Sequence, residues 1–198
     1  MDNLVGNQDP PPRDTALLII DVLNDMEFDG GEDLHRHAES MVDPLRDLRR
    51  RCKETGLPVV YVNDNFGCWR SDAKTITSNV CDRVCRGQSI ARDLAPDEDD
   101  YFVLKPKHSG FHYTPLAPLL DGLGVKRLIL TGVAGNICVL FTANDALMHG
   151  YTVIVPGDCI ASESAESNDW TLRQLSKVFG VDTRHAAKVD LGERLTAA

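Results

Sequence analysis

The stretch KRLILTGVAGNICVLFTANDALMHG (126–150) decides the fold. Its first eight residues, KRLILTGV (126–133), are apolar almost throughout rather than alternating, and they are too few for a helix. Such a run predicts a strand covered on both faces, as in a parallel sheet. An amphipathic stretch of helical length follows over 136–149, and Gly150 stands where a helix C-cap is expected. The same alternation runs outward in both directions. TALLIID (15–21), PVVYVN (58–63), YFVLK (101–105) and YTVIVPGD (151–158) predict further strands, with a weaker one at VDTR (181–184). Helical segments are expected near 33–55, within 74–94, near 114–123 and near 165–179. Strands alternating with helices predict an α/β, three-layer α/β/α, Rossmann-like fold. Its core is a doubly wound, mainly parallel six-stranded sheet. Residues 15–185 form one domain in this reading, with an extended, Pro-rich arm over 1–14 and a C-terminal tail over 186–198.

The 198 residues carry 21 basic and 30 acidic side chains, a formal net charge of −9. That balance argues against nucleic acid as a partner, because such binding draws its affinity from Lys and Arg on phosphates. It argues equally against a polybasic membrane anchor. No apolar run approaches the roughly 18–20 residues that span a bilayer. Residues 1–14 lack the basic start and apolar stretch of a signal peptide. The six cysteines, without a secretory context, predict a reducing, cytoplasmic setting rather than a disulfide scaffold.

Several common α/β chemistries are missing. The first strand is followed by DVLND, not by the G-x-G-x-x-G turn of dinucleotide-binding proteins. No P-loop motif and no G-x-S-x-G elbow occurs. An aspartyl-nucleophile phosphatase would need a second Asp where Leu23 stands. GVAG (132–135) by itself could cradle a phosphate or form a plain strand-to-helix turn.

In open α/β sheets, ligands bind at the carboxyl ends of the strands. Those ends hold Asp21, the Asn63-Asp64-Asn65 group, Lys105, and the turn that leads to Cys138. A cysteine early in a helix has its thiolate favoured by the helix dipole and by a nearby Lys, and a carboxylate can take its proton. Asp21, Lys105 (or Lys107) and Cys138 could supply these roles. Each also has a structural alternative: turn, surface charge and small core residue.

Three segments, in order, carry a resemblance. TALLIIDVLNDM, VLKPKHSGFHYTPL and TGVAGNICVLFTANDALMHGY resemble segments of the isochorismatase-like cysteine hydrolases. This family includes nicotinamidases, N-carbamoyl amidohydrolases and isochorismatases, and the resemblance covers about residues 14–185. It implies a catalytic triad of Asp21, Lys105 and Cys138, with Lys105 preferred over Lys107. It also implies a cis peptide between Val133 and Ala134, with the N–H groups of Ala134 and Cys138 forming an oxyanion hole. The implied activity is cleavage of a C–N bond in a small molecule through a thioester. The alternatives are vinyl ether cleavage of the isochorismatase type, or an inactive binding or assembly role. A homo-oligomer, dimer or tetramer, is implied as well.

Where nicotinamidases carry an Asp and histidines that bind a metal, YVNDNFGCWRSD keeps Asp64 but has no histidine. One carboxylate without imidazoles is a poor zinc site, so no metal and no other cofactor is expected. Asn63, Asn65, Trp69 and Phe111 are candidate substrate-binding residues. Lys105 and the helix N-terminus are expected to make the local potential positive, and selective alkylation of Cys138 is expected of an active enzyme.

Overall fold

A computed structural model describes residues 14–191. The arm expected over 1–14 lies outside them except for Asp14, and so does the chain beyond Leu191. The strands are β1 (Thr15–Ile20), β2 (Val59–Asp64), β3 (Tyr101–Lys105), β4 (Arg127–Val133), β5 (Thr152–Ile154) and β6 (Ile160–Ala161). The helices are α1 (Gly31–Glu54), α2 (Ala73–Cys81), α3 (Gln88–Asp93), α4 (Leu116–Gly122), α5 (Leu140–Met148) and α6 (Ala165–Arg173). Every strand pair is parallel, and the order is β3-β2-β1-β4-β5, with β6 also on β4. No helix among the described residues is long and apolar enough to cross a membrane.

The sheet separates two apolar layers. All six residues of β1 are buried, and the period of two in a strand sends them alternately to either side. Leu17 and Ile19 pack with Leu34, Met41, Leu45 and Leu48 of α1. Ala16, Leu18 and Ile20 pack with Leu116 and Leu120 of α4 and with Ala143 and Ala146 of α5. The buried face of α1 repeats every three or four residues from Leu34 to Cys52, which is one stripe of a helix.

The sixth strand is not where the sequence predicts it. Asp182 makes a single bridge to Ile154, whereas Ile160 and Ala161 pair with Gly132 and Val133. The cause is Pro156-Gly157. Proline cannot donate to the ladder, so the run expected over 151–158 ends at Ile154 and pairing resumes with Gly132 N–H on Cys159 O at 2.9 Å. Packing also continues past 185, where the sequence reading ends the domain. Ala186, Val189 and Leu191 are buried. The Arg51 guanidinium donates to Ala186 O and Val189 O at 2.9 and 2.8 Å.

Gly132 has φ +105°, and a Cβ there would lie 2.0 Å from Ile20 O. The end of β4 therefore passes β1 more closely than any other residue allows. Gly132→Ala is expected to cost about 2–3 kcal/mol in a denaturant titration, and an unchanged midpoint would contradict the close approach.

Candidate active site

The order β3-β2-β1-β4 brings four strand ends side by side, and the chain reverses direction of travel across the sheet between β1 and β4. That switch point is where an open α/β sheet leaves a crevice. Asp21 follows β1 with a left-handed backbone, φ 52°, its N–H on Val62 O at 3.1 Å. Asp64 and Lys105 are register partners at the ends of β2 and β3. β4 ends at a cis peptide between Val133 and Ala134. Cys138 follows in a π-helical turn, Gly135–Val139, that precedes α5.

These ends meet on one ammonium. Lys105 Nζ lies 2.8 Å from Asp21 Oδ2, 3.5 Å from Cys138 Sγ and 3.5 Å from Asp64 Oδ2. The thiol also hydrogen-bonds the Asp21 carboxylate, and Asp64 N–H donates to Asp21 Oδ1 at 2.7 Å. Lys105 is fully buried and Asp21 nearly so, while the Asp64 side chain is 32% exposed. Lys107, the competing lysine, is exposed.

Burial sets the protonation states. Loss of water raises the Asp21 carboxyl above its ordinary range, against the opposing pull of Lys105. Burial alone would lower Lys105, but Asp21, Cys138 and Asp64 outweigh it and raise the ammonium instead. The Cys138 thiol is pushed up to about 12, by burial first and then by the Asp21 charge. The expected positive potential is therefore not what the structure holds. Two carboxylates surround one ammonium, so the resting sulfur is a neutral thiol beside a base.

The turn bearing Cys138 is braced from two sides. Behind it, Gly110 N–H donates to Thr142 Oγ1 at 2.9 Å, and that hydroxyl donates to Cys138 O at 2.7 Å; Ser109 Oγ donates to Asp145. In front, buried Ser162 Oγ accepts from Asn136 N–H at 3.1 Å. A Cβ on Gly135 would meet Asn168 Oδ1 at 2.7 Å and Ser162 Oγ at 3.0 Å, so the turn can lie this close only with glycine there. Ala134 O accepts the N–H groups of Ile137 and Val139 at 3.1 and 3.2 Å. The sequence reading missed Ser162 and Thr142, since nothing in a lone Ser or Thr signals such a bond.

The candidate substrate residues fall in different places. Asn65 is buried and, with Phe66, Ile76, Val80 and Arg83, lines a pocket of about 260 Å³. The Asn63 amide is taken up by the backbone of Leu23 on both its atoms, at 3.1 and 3.2 Å. Trp69 is 80% exposed. Phe111 lies in the apolar layer under α4 and α5, stacked on His149 at 4.9 Å.

Asp64 belongs to no group of three or more potential metal ligands among the described residues; its Oδ1 accepts Phe66 N–H at 2.6 Å and its Oδ2 faces the Lys105 ammonium. Among the described residues, the carboxylates close enough to share an ion are Asp97, Asp99 and Asp100, which pair with Lys53. All six cysteines are free thiols. Cys68, exposed and hydrogen-bonded to Ser71, is the one whose pKa is lowered. Alkylation is therefore expected to find Cys68 before Cys138, contrary to the expectation from sequence.

Comparison with known proteins bears on this geometry. Residues 15–187 match the isochorismatase domain model. An uncharacterized isochorismatase family protein of Bacillus subtilis, YaaI, is 44% identical over 166 residues, covering 84% of this chain and 91% of that protein. An isochorismatase from the same organism is 29% identical over 168 residues; the match covers 82% of this chain and only 53% of that protein. Among solved structures, N-carbamoylsarcosine amidase from Thermoplasma acidophilum aligns with a TM-score of 0.67 at 26% identity, covering 90% of this chain and 99% of that one. The match takes in all four strand ends and the packed segment at 186–187, and the chain belongs to the isochorismatase family of hydrolases.

Proposed function

We propose that the chain is a cysteine hydrolase cleaving a C–N bond (amide, ureido or carbamoyl) of a small molecule through a thioester. One observation carries the reading: a single buried ammonium holds a carboxylate at 2.8 Å and a sulfur at 3.5 Å, each from a different strand end. Vinyl ether hydrolysis has no use for a thiol bonded to a base. The N-carbamoylsarcosine amidase, similar along nearly its whole length, supports the same direction.

Asp21 takes the thiol proton as sulfur attacks the carbonyl carbon, and the S–C bond forms as the C=O electrons move to oxygen. The N–H groups of Ala134 and Cys138 receive that oxyanion. Collapse breaks the C–N bond while the Asp21 carboxyl protonates the leaving nitrogen. Water then adds to the thioester with Asp21 as base, and the proton returns to sulfur as the acid departs. Lys105 keeps its charge throughout, balancing whichever of oxygen or sulfur is anionic.

The test is a release assay over simple amides, ureides and N-carbamoyl amino acids, with isochorismate included. Release of ammonia or amine supports the reading; turnover of isochorismate alone, or of nothing, overturns it. For a substrate that is turned over, log kcat/KM is expected to rise with pH through the raised pKa of Asp21, because only the ionised carboxylate can accept the thiol proton. It should then stay level until the raised Lys105 pKa. An acid limb at the ordinary carboxylate value would contradict Asp21 as the base.

The six free thiols fit a reducing, cytoplasmic setting. The exposure of Trp69, Tyr113 and Met148, each 80% or more, fits self-association into a dimer or tetramer, which light scattering would detect.

A further inference from the structure

We infer that Asp64 recognises the nitrogen side of the substrate, accepting a hydrogen bond from an N–H of the group being cleaved, so that the site selects primary amides and ureides over oxygen isosteres. The inference rests on the reading of Cys138 as nucleophile. Asp64 is the one member of the strand-end cluster that the proposed chemistry leaves without a task. Its Oδ2 and the Cys138 sulfur both lie 3.5 Å from the same ammonium, so no more than about 7 Å separates them, and a carbonyl carbon bonded to sulfur can turn a substituent within hydrogen-bond reach of this carboxylate.

Three features make it an acceptor for substrate rather than a buried counter-ion. The side chain is 32% exposed, against 7% for Asp21, so it faces the open side of the cluster. Its other oxygen is fixed by Phe66 N–H at 2.6 Å, which sets the direction of the carboxylate. Lys105 is already bonded to Asp21 at 2.8 Å, and its 3.5 Å approach to Asp64 leaves Oδ2 with acceptor capacity, since a carboxylate oxygen offers two lone pairs. Beside it, Asn65 begins the wall of the neighbouring pocket. An N–H donor satisfies Oδ2, whereas an ether or ester oxygen places lone pairs against it. With two carboxyl groups around one ammonium, the cluster also disfavours an anionic group at this position.

The test needs no knowledge of the natural substrate. Cys138 is alkylated with 2-iodoacetamide and with methyl iodoacetate, neutral reagents that differ in offering an N–H₂ or an oxygen, and labelling is followed peptide by peptide by mass spectrometry. The ratio of the two rates, taken relative to that of glutathione, removes any change in thiol reactivity. It is expected to favour the amide by about tenfold, the effect of a hydrogen bond to a charged group. In Asp64→Asn, which keeps an oxygen for Phe66 N–H but can turn an amide N–H₂ towards substrate, the preference should fall to that of glutathione. Asp64→Ser is the second variant. Cys52 and Cys159, both buried, should stay unlabelled and so report the fold in the same spectra. An amide preference that survives in both variants, or is missing from the unaltered protein, overturns the assignment to Asp64 alone. Failure of Cys138 to label at any pH overturns the nucleophile reading and this inference with it.

Discussion

Cys138→Ala should reduce turnover of any accepted substrate by about four orders of magnitude or more, the scale seen when a covalent nucleophile is removed. The fold should not follow. Alanine retains the backbone of the π-helical turn, and the Thr142 and Ser162 bonds that brace it use the main chain of residues 138 and 136. Lys105 keeps both carboxylate partners, so no charge is left without a counterpart. The melting temperature should stay within a few degrees of the original, the effect of removing one partly buried sulfur. Parallel turnover and thermal-melt measurements decide the matter. Activity within tenfold of the original removes Cys138 from the chemistry. Lost activity with a collapsed melt would make the residue structural instead.

The strands were legible because a parallel sheet covered on both faces forces continuous apolar runs, and β1 to β4 show them. β6 was not, since two residues after a Pro-Gly break carry no pattern. Asp21, Lys105 and Cys138 were legible as strand-end residues, but their protonation was not. Sequence shows a Lys near a Cys and suggests a stabilised thiolate. Only the three-dimensional arrangement shows Asp21 and Asp64 sharing that Lys, with the thiol pushed up to about 12. Asp64 itself reads from sequence as the remnant of a metal site, because its neighbour across the sheet, Lys105, is 41 residues away in the chain. Phe111 and Asn63 looked available for substrate because an aromatic and an amide near strand ends are ambiguous until their packing is seen.

Lys105→Met tests the whole cluster through stability as well as activity. The methionine fills most of the same buried volume, so the change isolates the charge. Removing it leaves Asp21, already raised by burial, without its ammonium and beside a second carboxylate. Breaking one side of a buried pair costs about 3–5 kcal/mol, or roughly 6–20 °C of melting temperature for a chain of this length. The deficit should depend on pH with a definite sign. Without Lys105, the folded-state pKa of Asp21 lies still further above its unfolded value. The stability linked to its protonation is therefore fully present below the unfolded pKa and is lost as pH rises through the folded one. The variant should thus approach the original protein in acid and fall away from it towards neutrality, as seen in melts across that range. Turnover should drop with it wherever Asp21 is held protonated, because the proposed mechanism needs its carboxylate as base. A deficit independent of pH would mean that Lys105 acts by packing alone, and that the carboxylate beside it is not ionised in the working enzyme.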